Sequence, residues 1–233
     1  MDLLAPPRFP NLRRIDLRNN SLSGGALRVL KRRPLTELLF AHNRLGQSSV
    51  HELTKEGGAL GGLTRLDLSG NAIGDEGLRV LGRDARFGSI TRLGLSLVNA
   101  TPSGVSALIN GSIAKRVTHL ELAGNELGLE ALRSILSGGF PALTHLDVSE
   151  AMLGDEGLAA FLDSPTVAQL VSLELKKNAI SAEGARRLAS VKFDRLEYLS
   201  VSGNPLGESG MTTLKKAFPH LQLVGRGARD EPE

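Results

Sequence analysis

One frame recurs along the chain. An apolar residue is followed, after two others, by a pair of apolar residues one position apart, and an asparagine stands five positions after the first of that pair. Between Leu63 and Leu78 it reads Leu63-Thr-Arg-Leu66-Asp-Leu68-Ser-Gly-Asn71-Ala-Ile73-Gly-Asp-Glu-Gly77-Leu78. Leu66 and Leu68 alternate as a half-buried strand requires, whereas Leu78 and Leu81 stand three apart, so the hydrophobic period changes from two to helical within one unit. The frame starts at Leu12, Leu35, Leu63, Ile90, Val117, Leu143, Leu170 and Leu196, which makes eight units of 23 to 28 residues. A shorter echo, Leu221-Gln-Leu223, predicts a last strand.

The helical half repeats equally well. Twelve and fifteen residues after the first paired apolar lie Leu27 and Leu30, Val50 and Leu53, Leu78 and Leu81, and Val105 and Leu108. Leu132 and Ile135, Leu158 and Phe161, Ala185 and Leu188, and Met211 and Leu214 continue the series. Before each pair stands a small residue: Ala26, Ser49, Gly77, Gly104, Ala131, Gly157, Gly184 or Gly210. Close packing of each helix on the strand behind it is the expected reason. With 41% apolar residues but only 3% aromatic, the core must be built from aliphatic layers.

The frame resembles the leucine-rich repeat, L-x-x-L-x-L-x-x-N-x-L, and Gly-Asp-Glu-Gly at 74–77 and 154–157 resembles the ribonuclease-inhibitor-like class. The resemblance covers about nine tenths of the chain and implies an α/β leucine-rich-repeat solenoid, a curved right-handed horseshoe with a parallel sheet on the concave face and helices on the convex face. Strands stack about 4.8 Å apart while helices need about 10 Å, so such a stack must curve. The expected organisation is an extended lead-in over 1–11, a single repeat domain over 12–224 and a polar, disordered tail over 225–233. Asp75, Asp155, Ser181 and Thr101, with Pro102 after it, read as helix N-caps.

By the same resemblance Asn20, Asn43, Asn71, Asn125, Asn178 and Asn204 form a structural ladder, the amide offering donors and an acceptor to backbone at the turn. The column is vacant at Val98 and Ala151, where water or the neighbouring Asn99 and Glu150 are expected to take over.

Residues flanking the paired apolar positions point out of the sheet in three columns. The first runs Arg14, Glu37, Arg65, Arg92, His119, His145, Ser172, Tyr198; the second Asp16, Leu39, Asp67, Gly94, Glu121, Asp147, Glu174, Ser200. The third, mostly small, runs Arg18, Ala41, Ser69, Ser96, Ala123, Ser149, Lys176, Ser202. They predict a charge-patterned groove for a protein partner, with Arg14, Asp16, Arg18, Arg65, Asp67, Arg92, His119, Glu121, His145, Asp147, Glu174, Lys176 and Tyr198 as candidate binding residues. The competing expectation is that the columns neutralise each other and merely keep the sheet soluble. His119-Leu-Glu121 and His145-Leu-Asp147 carry ligand types that zinc accepts, but a straight strand converges them poorly, so no metal is expected.

Composition narrows the function. Net charge is +3, and the basic residues Arg13, Arg14, Arg18, Arg28, Lys31, Arg32, Arg33 and Arg44 crowd the first two units. Such a cluster is usually a solvated surface, so nucleic acid ranks low. The absence of cysteine fits a reducing cytoplasm. No basic leader with an apolar run opens the chain and no apolar stretch is long enough to span a bilayer, so membrane insertion is not expected. Phosphate-loop, G-x-S-x-G and cysteine-nucleophile patterns are missing, and neither catalysis nor a cofactor is expected. The leading expectation is a monomeric, non-enzymatic protein-interaction module. The resembling class also contains Ran GTPase-activating proteins, which makes a small-GTPase regulator the alternative. A thin N-terminal cap motivates a third reading, the repeat portion of a larger protein.

Overall fold

The computed structural model describes residues 9–30, 33–55, 60–219 and 222–224. Nine three-residue strands form one parallel sheet in sequence order: β1 (Arg14–Asp16), β2 (Glu37–Leu39), β3 (Arg65–Asp67), β4 (Arg92–Gly94), β5 (His119–Glu121), β6 (His145–Asp147), β7 (Ser172–Glu174), β8 (Tyr198–Ser200) and β9 (Gln222–Val224). Between them run α1 (Gly24–Leu30), α2 (His51–Thr54), α3 (Gly74–Arg83), α4 (Pro102–Ile109), α5 (Gly128–Ser134), α6 (Gly154–Leu162), α7 (Ala182–Ser190) and α8 (Gly207–Ala217). The chain is therefore the expected solenoid of eight units and a terminal strand. Residues 1–8 of the lead-in, Lys31, Arg32 and the tail at 225–233 lie outside the described residues.

Strands β1 to β8 turn their middle residue inward. Ile15, Leu38, Leu66, Leu93, Leu120, Leu146, Leu173 and Leu199 are all buried, and the helical positions from Leu27 to Leu214 close the core from the other side. The return from helix to strand holds short 3-10 turns at Leu60–Gly62, Ala85–Ser89, Ser112–Lys115 and Pro165–Gln169, which carry Leu60, Phe87, Ile113 and Val167 into the core. The helical period does not reveal these turns.

The asparagine column works between units. Asn125 Oδ1 accepts from the N–H groups of Val98 (3.1 Å) and Ala100 (3.0 Å) in the preceding unit, while Nδ2 donates to Leu95 O and Leu122 O. Asn43, Asn178 and Asn204 fork in the same way onto Asn20 and Leu22, Ala151 and Leu153, and Asn178 and Ile180. Asn71 receives Leu45 N–H. Asn20, in the first described unit, is exposed, and its side chain donates to Arg18 O.

The two vacancies are not repaired as expected. Asn99 and Glu150 are exposed on left-handed backbone (φ 60° and 56°) and make no ladder bond. Instead the orphaned N–H of the preceding turn bends onto its own asparagine carbonyl: Ile73 N–H to Asn71 O (2.8 Å) before Val98, and Leu127 N–H to Asn125 O (2.9 Å) before Ala151. Leu206 does the same onto Asn204 O, where the ladder ends. A backbone donor thus finds a carbonyl two residues away when no neighbour supplies an amide.

Thr101 and Ser181 are the N-caps predicted, accepting from Ser103 N–H and Glu183 N–H. Asp75 and Asp155 are not. They lie one residue inside α3 and α6 and reach across to the next unit, where Asp75 accepts from Thr101 N–H (2.9 Å) and Oγ1–H (2.6 Å) and Asp155 from Ser181 N–H (2.8 Å) and its hydroxyl. This contact also corrects the account of the small column. A Cβ at Gly104 would fall 2.3 Å from Asp75 Oδ1 and one at Gly184 2.2 Å from Asp155 Oδ1, while at Gly77 the obstacle is Ile73 Cβ at 2.7 Å. The small residue makes room for the helix entrance and the neighbouring carboxylate rather than for the strand.

Two outcomes follow for urea denaturation. Asn125→Ala should destabilise the chain by about 3 kcal/mol, because it strands backbone donors and acceptors on both sides of an interface, whereas exposed Asn20→Ala should stay within about 0.5 kcal/mol. Gly104→Ala should cost about 2 kcal/mol, and a double-mutant cycle with Asp75→Ala should recover much of that loss.

Candidate functional site

The face of the sheet away from the helices is held by a second ladder, one residue before each strand. Thr64 Oγ1–H donates to Thr36 O, Thr91 to Thr64 O, Thr118 to Thr91 O and Thr144 to Thr118 O, at 3.1 to 3.2 Å. Each of these carbonyls also takes two backbone N–H groups; Thr91 O, for example, receives Thr118 N–H and His119 N–H. The threonine column at 36, 64, 91, 118 and 144 was visible in the sequence as a repeat position but carried no predicted role.

The ladder also sets the histidines. His119 and His145 are paired in register on β5 and β6, their rings stacked with centroids 3.8 Å apart and planes 11° off parallel. Each Nδ1 lies 2.9 Å from the hydroxyl of the threonine before it, Thr118 or Thr144. Each hydroxyl has one hydrogen to give, to the carbonyl or to Nδ1, so the ring tautomer and the threonine ladder are coupled. Partial burial, the partner ring of His145, and then Arg92 and Arg65 push His119 down to about 4. Burial and Arg92 lower His145 as well. Both rings are neutral at pH 7.

Beside them stand carboxylates shifted the other way. Glu121 remains exposed, yet its carboxyl rises because the concave floor thins its water and Asp67, Asp147 and Glu174 face it, against only Arg65. Asp147 rises chiefly by burial and by Glu174, opposed by Ser149 and Lys176. Among the described residues no three His, Asp or Glu side chains converge as ligands of a metal ion.

Ion pairing divides the columns. At the N-terminal end Arg14 pairs with Glu37 (3.4 Å) and Arg18 with Asp16 (2.6 Å), which holds the Asp16 carboxyl at about 2. At the other end Lys176 pairs with Glu174. Between them, among the described residues, no ion pair engages Arg65, Asp67, Arg92, Glu121 or Asp147. Asp67 accepts the N–H of Ser69, and Asp147 that of Ser149. Tyr198 is half-buried on β8. The basic N-terminal cluster is largely engaged, with Arg28 on Glu52 and buried Arg33 donating to Phe9 O. A cleft of about 390 Å³ on the helical side is lined by His51, Glu76, Arg83 and Asp84, and its carboxylates are engaged locally by the pairs His51–Glu76, Arg79–Glu76 and Arg86–Asp84.

The sheet order, the asparagine ladder and the strand-turn-helix unit define a leucine-rich-repeat solenoid, and its long units are similar to those of the ribonuclease-inhibitor-like class. Sequence comparison agrees, matching the Leucine Rich Repeat family at residues 11–32, 63–82, 141–162 and 170–189. The chain is 29% identical to the ribonuclease inhibitor of Sus scrofa over 230 residues, covering 92% of this chain and 45% of that one. It is 30% identical to RAN GTPase-activating protein 2 of Arabidopsis thaliana over 147 residues, 59% of this chain and 27% of the relative. It thus spans less than half the length of either. Among solved structures, an internalin of Listeria monocytogenes aligns over 96% of this chain and 56% of its own with a TM-score of 0.56 at 18% identity. LegL7 of Legionella pneumophila aligns over 92% and 84% with a TM-score of 0.54 at 18% identity. These likenesses show the fold. No helix among the described residues is long and apolar enough to cross a membrane.

The shifted groups predict opposing pH effects. The folded chain disfavours protonated His119 and His145, so the unfolded chain binds more protons below the ordinary imidazole range, and this contribution to stability is lost as pH falls from about 6.5 toward 4. Glu121 and Asp147, raised on folding, oppose it and destabilise the fold as pH rises through the carboxylate range. Proton NMR should place the His119 midpoint near 4, and His145→Asn should move it upward.

Proposed function

We propose that the chain is a non-catalytic protein-interaction module that docks its partner on the sheet face of β3 to β6. The distribution of ion pairs carries this reading. A surface that only keeps itself soluble would answer its charges throughout; here both ends do so, while Arg65, Asp67, Arg92, Glu121 and Asp147 have no ion-pair partner among the described residues. Unpaired charges on a rigid floor suit orientation and choice of partner more than raw affinity. His119 and His145 contribute a flat stacked surface beside them, and Tyr198 an aromatic edge further along. The paired residues Arg14, Asp16, Arg18, Glu174 and Lys176 frame this zone. The cysteine-free composition supports work in a reducing cytoplasm, with the chain as a monomer.

Similarity to RAN GTPase-activating protein 2 favours a GTPase regulator as the second reading. In that role the chain would still act by docking, stimulating hydrolysis in its partner.

Affinity capture from source lysate, comparing wild type with Arg65→Glu plus Asp147→Lys, tests the site. A specific prey should be lost from the double variant and kept by Arg14→Glu plus Lys176→Glu; identical prey lists for the wild type and the first variant would refute the reading. Single-turnover GTP hydrolysis by a Ran-type GTPase, unchanged on adding the chain, removes the second reading.

A further inference from the structure

The floor of this face is not level. Gly94 stands in the second column between Asp67 and Glu121, and its missing side chain opens a pocket of about 60 Å³ lined by Arg65, Asp67, Arg92, His119 and Glu121 over Leu66 and Leu93. Asp67 leans over this gap. A Cβ at position 94 would lie 2.5 Å from Asp67 Oδ1 and 3.1 Å from Ser69 Oγ, so a side chain there would displace the Asp67 carboxylate.

The pocket has two walls of opposite sign. Arg65 and Arg92 neighbour each other at the start of β3 and β4, and Asp67 and Glu121 flank the gap one step down the second column. Within a strand the two columns are two residues apart, about 6.7 Å. An extended peptide repeats that interval between residues i and i+2 on one of its faces. A carboxylate and a cation at that spacing would therefore meet both walls together.

Resting on the docking reading above, we propose that the pocket at Gly94 receives an arginine or lysine from an extended segment of the partner protein, with an acidic residue two positions away set against Arg65 and Arg92. Charge complementarity selects this occupant. An apolar side chain would cover two arginines and two carboxylates without giving them partners. A polyanion such as nucleic acid would meet Asp67 and Glu121, and behind them Asp147 and Glu174, with like charge. A cation between Asp67 and Glu121 offsets the mutual repulsion of those carboxylates.

The test is an amide-shift NMR titration of the full ¹⁵N-labelled chain with two isomeric peptides, Ac-Ser-Glu-Ser-Arg-Ser-NH2 and Ac-Ser-Ser-Glu-Arg-Ser-NH2. They have the same composition and charge, but only the first puts both charges on one face when extended. It should bind about fivefold more tightly, the scale of one partly exposed ion pair, with saturable shifts centred on β3 to β5. Gly94→Ala, which fills the pocket, and Glu121→Gln, which leaves it open but removes one wall, should each abolish that preference, while Arg14→Ala should not. Equal binding of the isomers, a preference that survives both pocket variants, or shifts spread evenly from β1 to β8 would overturn the proposal. Such a failure leaves the docking reading intact if Arg65→Glu plus Asp147→Lys still loses its prey, and removes both if it does not.

Discussion

The turn from strand to helix is where this fold could fail, because it carries buried backbone N–H and C=O groups with no regular partner. Asn43, Asn71, Asn125, Asn178 and Asn204 each reach back to the unit before, and Asn125 satisfies two donors and one acceptor there and one acceptor in its own unit. A unit is therefore incomplete until its successor is in place. The carboxylates of Asp75 and Asp155 and the threonine hydroxyls at the strand starts act in the same direction, forward or backward by one unit. Stability in this molecule belongs mainly to interfaces, which is the physical content of a solenoid.

The same stacking creates the proposed docking surface. Parallel strands in equal register set like positions about 4.8 Å apart, so any residue type that repeats becomes a stripe. Burial first, and like-charged neighbours second, raise Glu121 and Asp147 and lower His119 and His145. Intrachain pairs relieve the two ends of the sheet. The middle is left with opposite stripes side by side and a gap at Gly94, an arrangement suited to recognition by a partner of complementary charge.

Much of this was legible from spacing. A change of hydrophobic period inside each unit, eight times over, requires strand and helix in alternation, and the columns from Leu27 to Leu214 fall where the core needs them. The candidate columns are also where alternation puts them, in register from Arg14 to Gln222. Four details escaped that logic. Asp75 and Asp155 look like N-caps in one unit but reach forward to the next. The gaps at Val98 and Ala151 close through the preceding turn, not through Asn99 or Glu150. The small column answers the helix entrance, and the threonines form a ladder of their own. Each depends on which groups folding brings within hydrogen-bond or packing reach, which a frame read along the chain does not contain.

The sequence by itself determined the architecture, the number of units and most of the buried positions and outward columns, because these follow from periodicity and from the alternation of a strand, although Leu39, Ala41, Ser69, Ser149 and Ser200 of those columns are buried. Only the tertiary structure decided which of those side chains are already engaged. Arg14, Asp16, Arg18, Glu174 and Lys176 carry the same kinds of charge as Arg65, Asp67, Arg92, Glu121 and Asp147, and nothing in their spacing separates the two sets. Whether a charge finds its partner depends on side-chain reach across neighbouring strands, and that distance is set by folding.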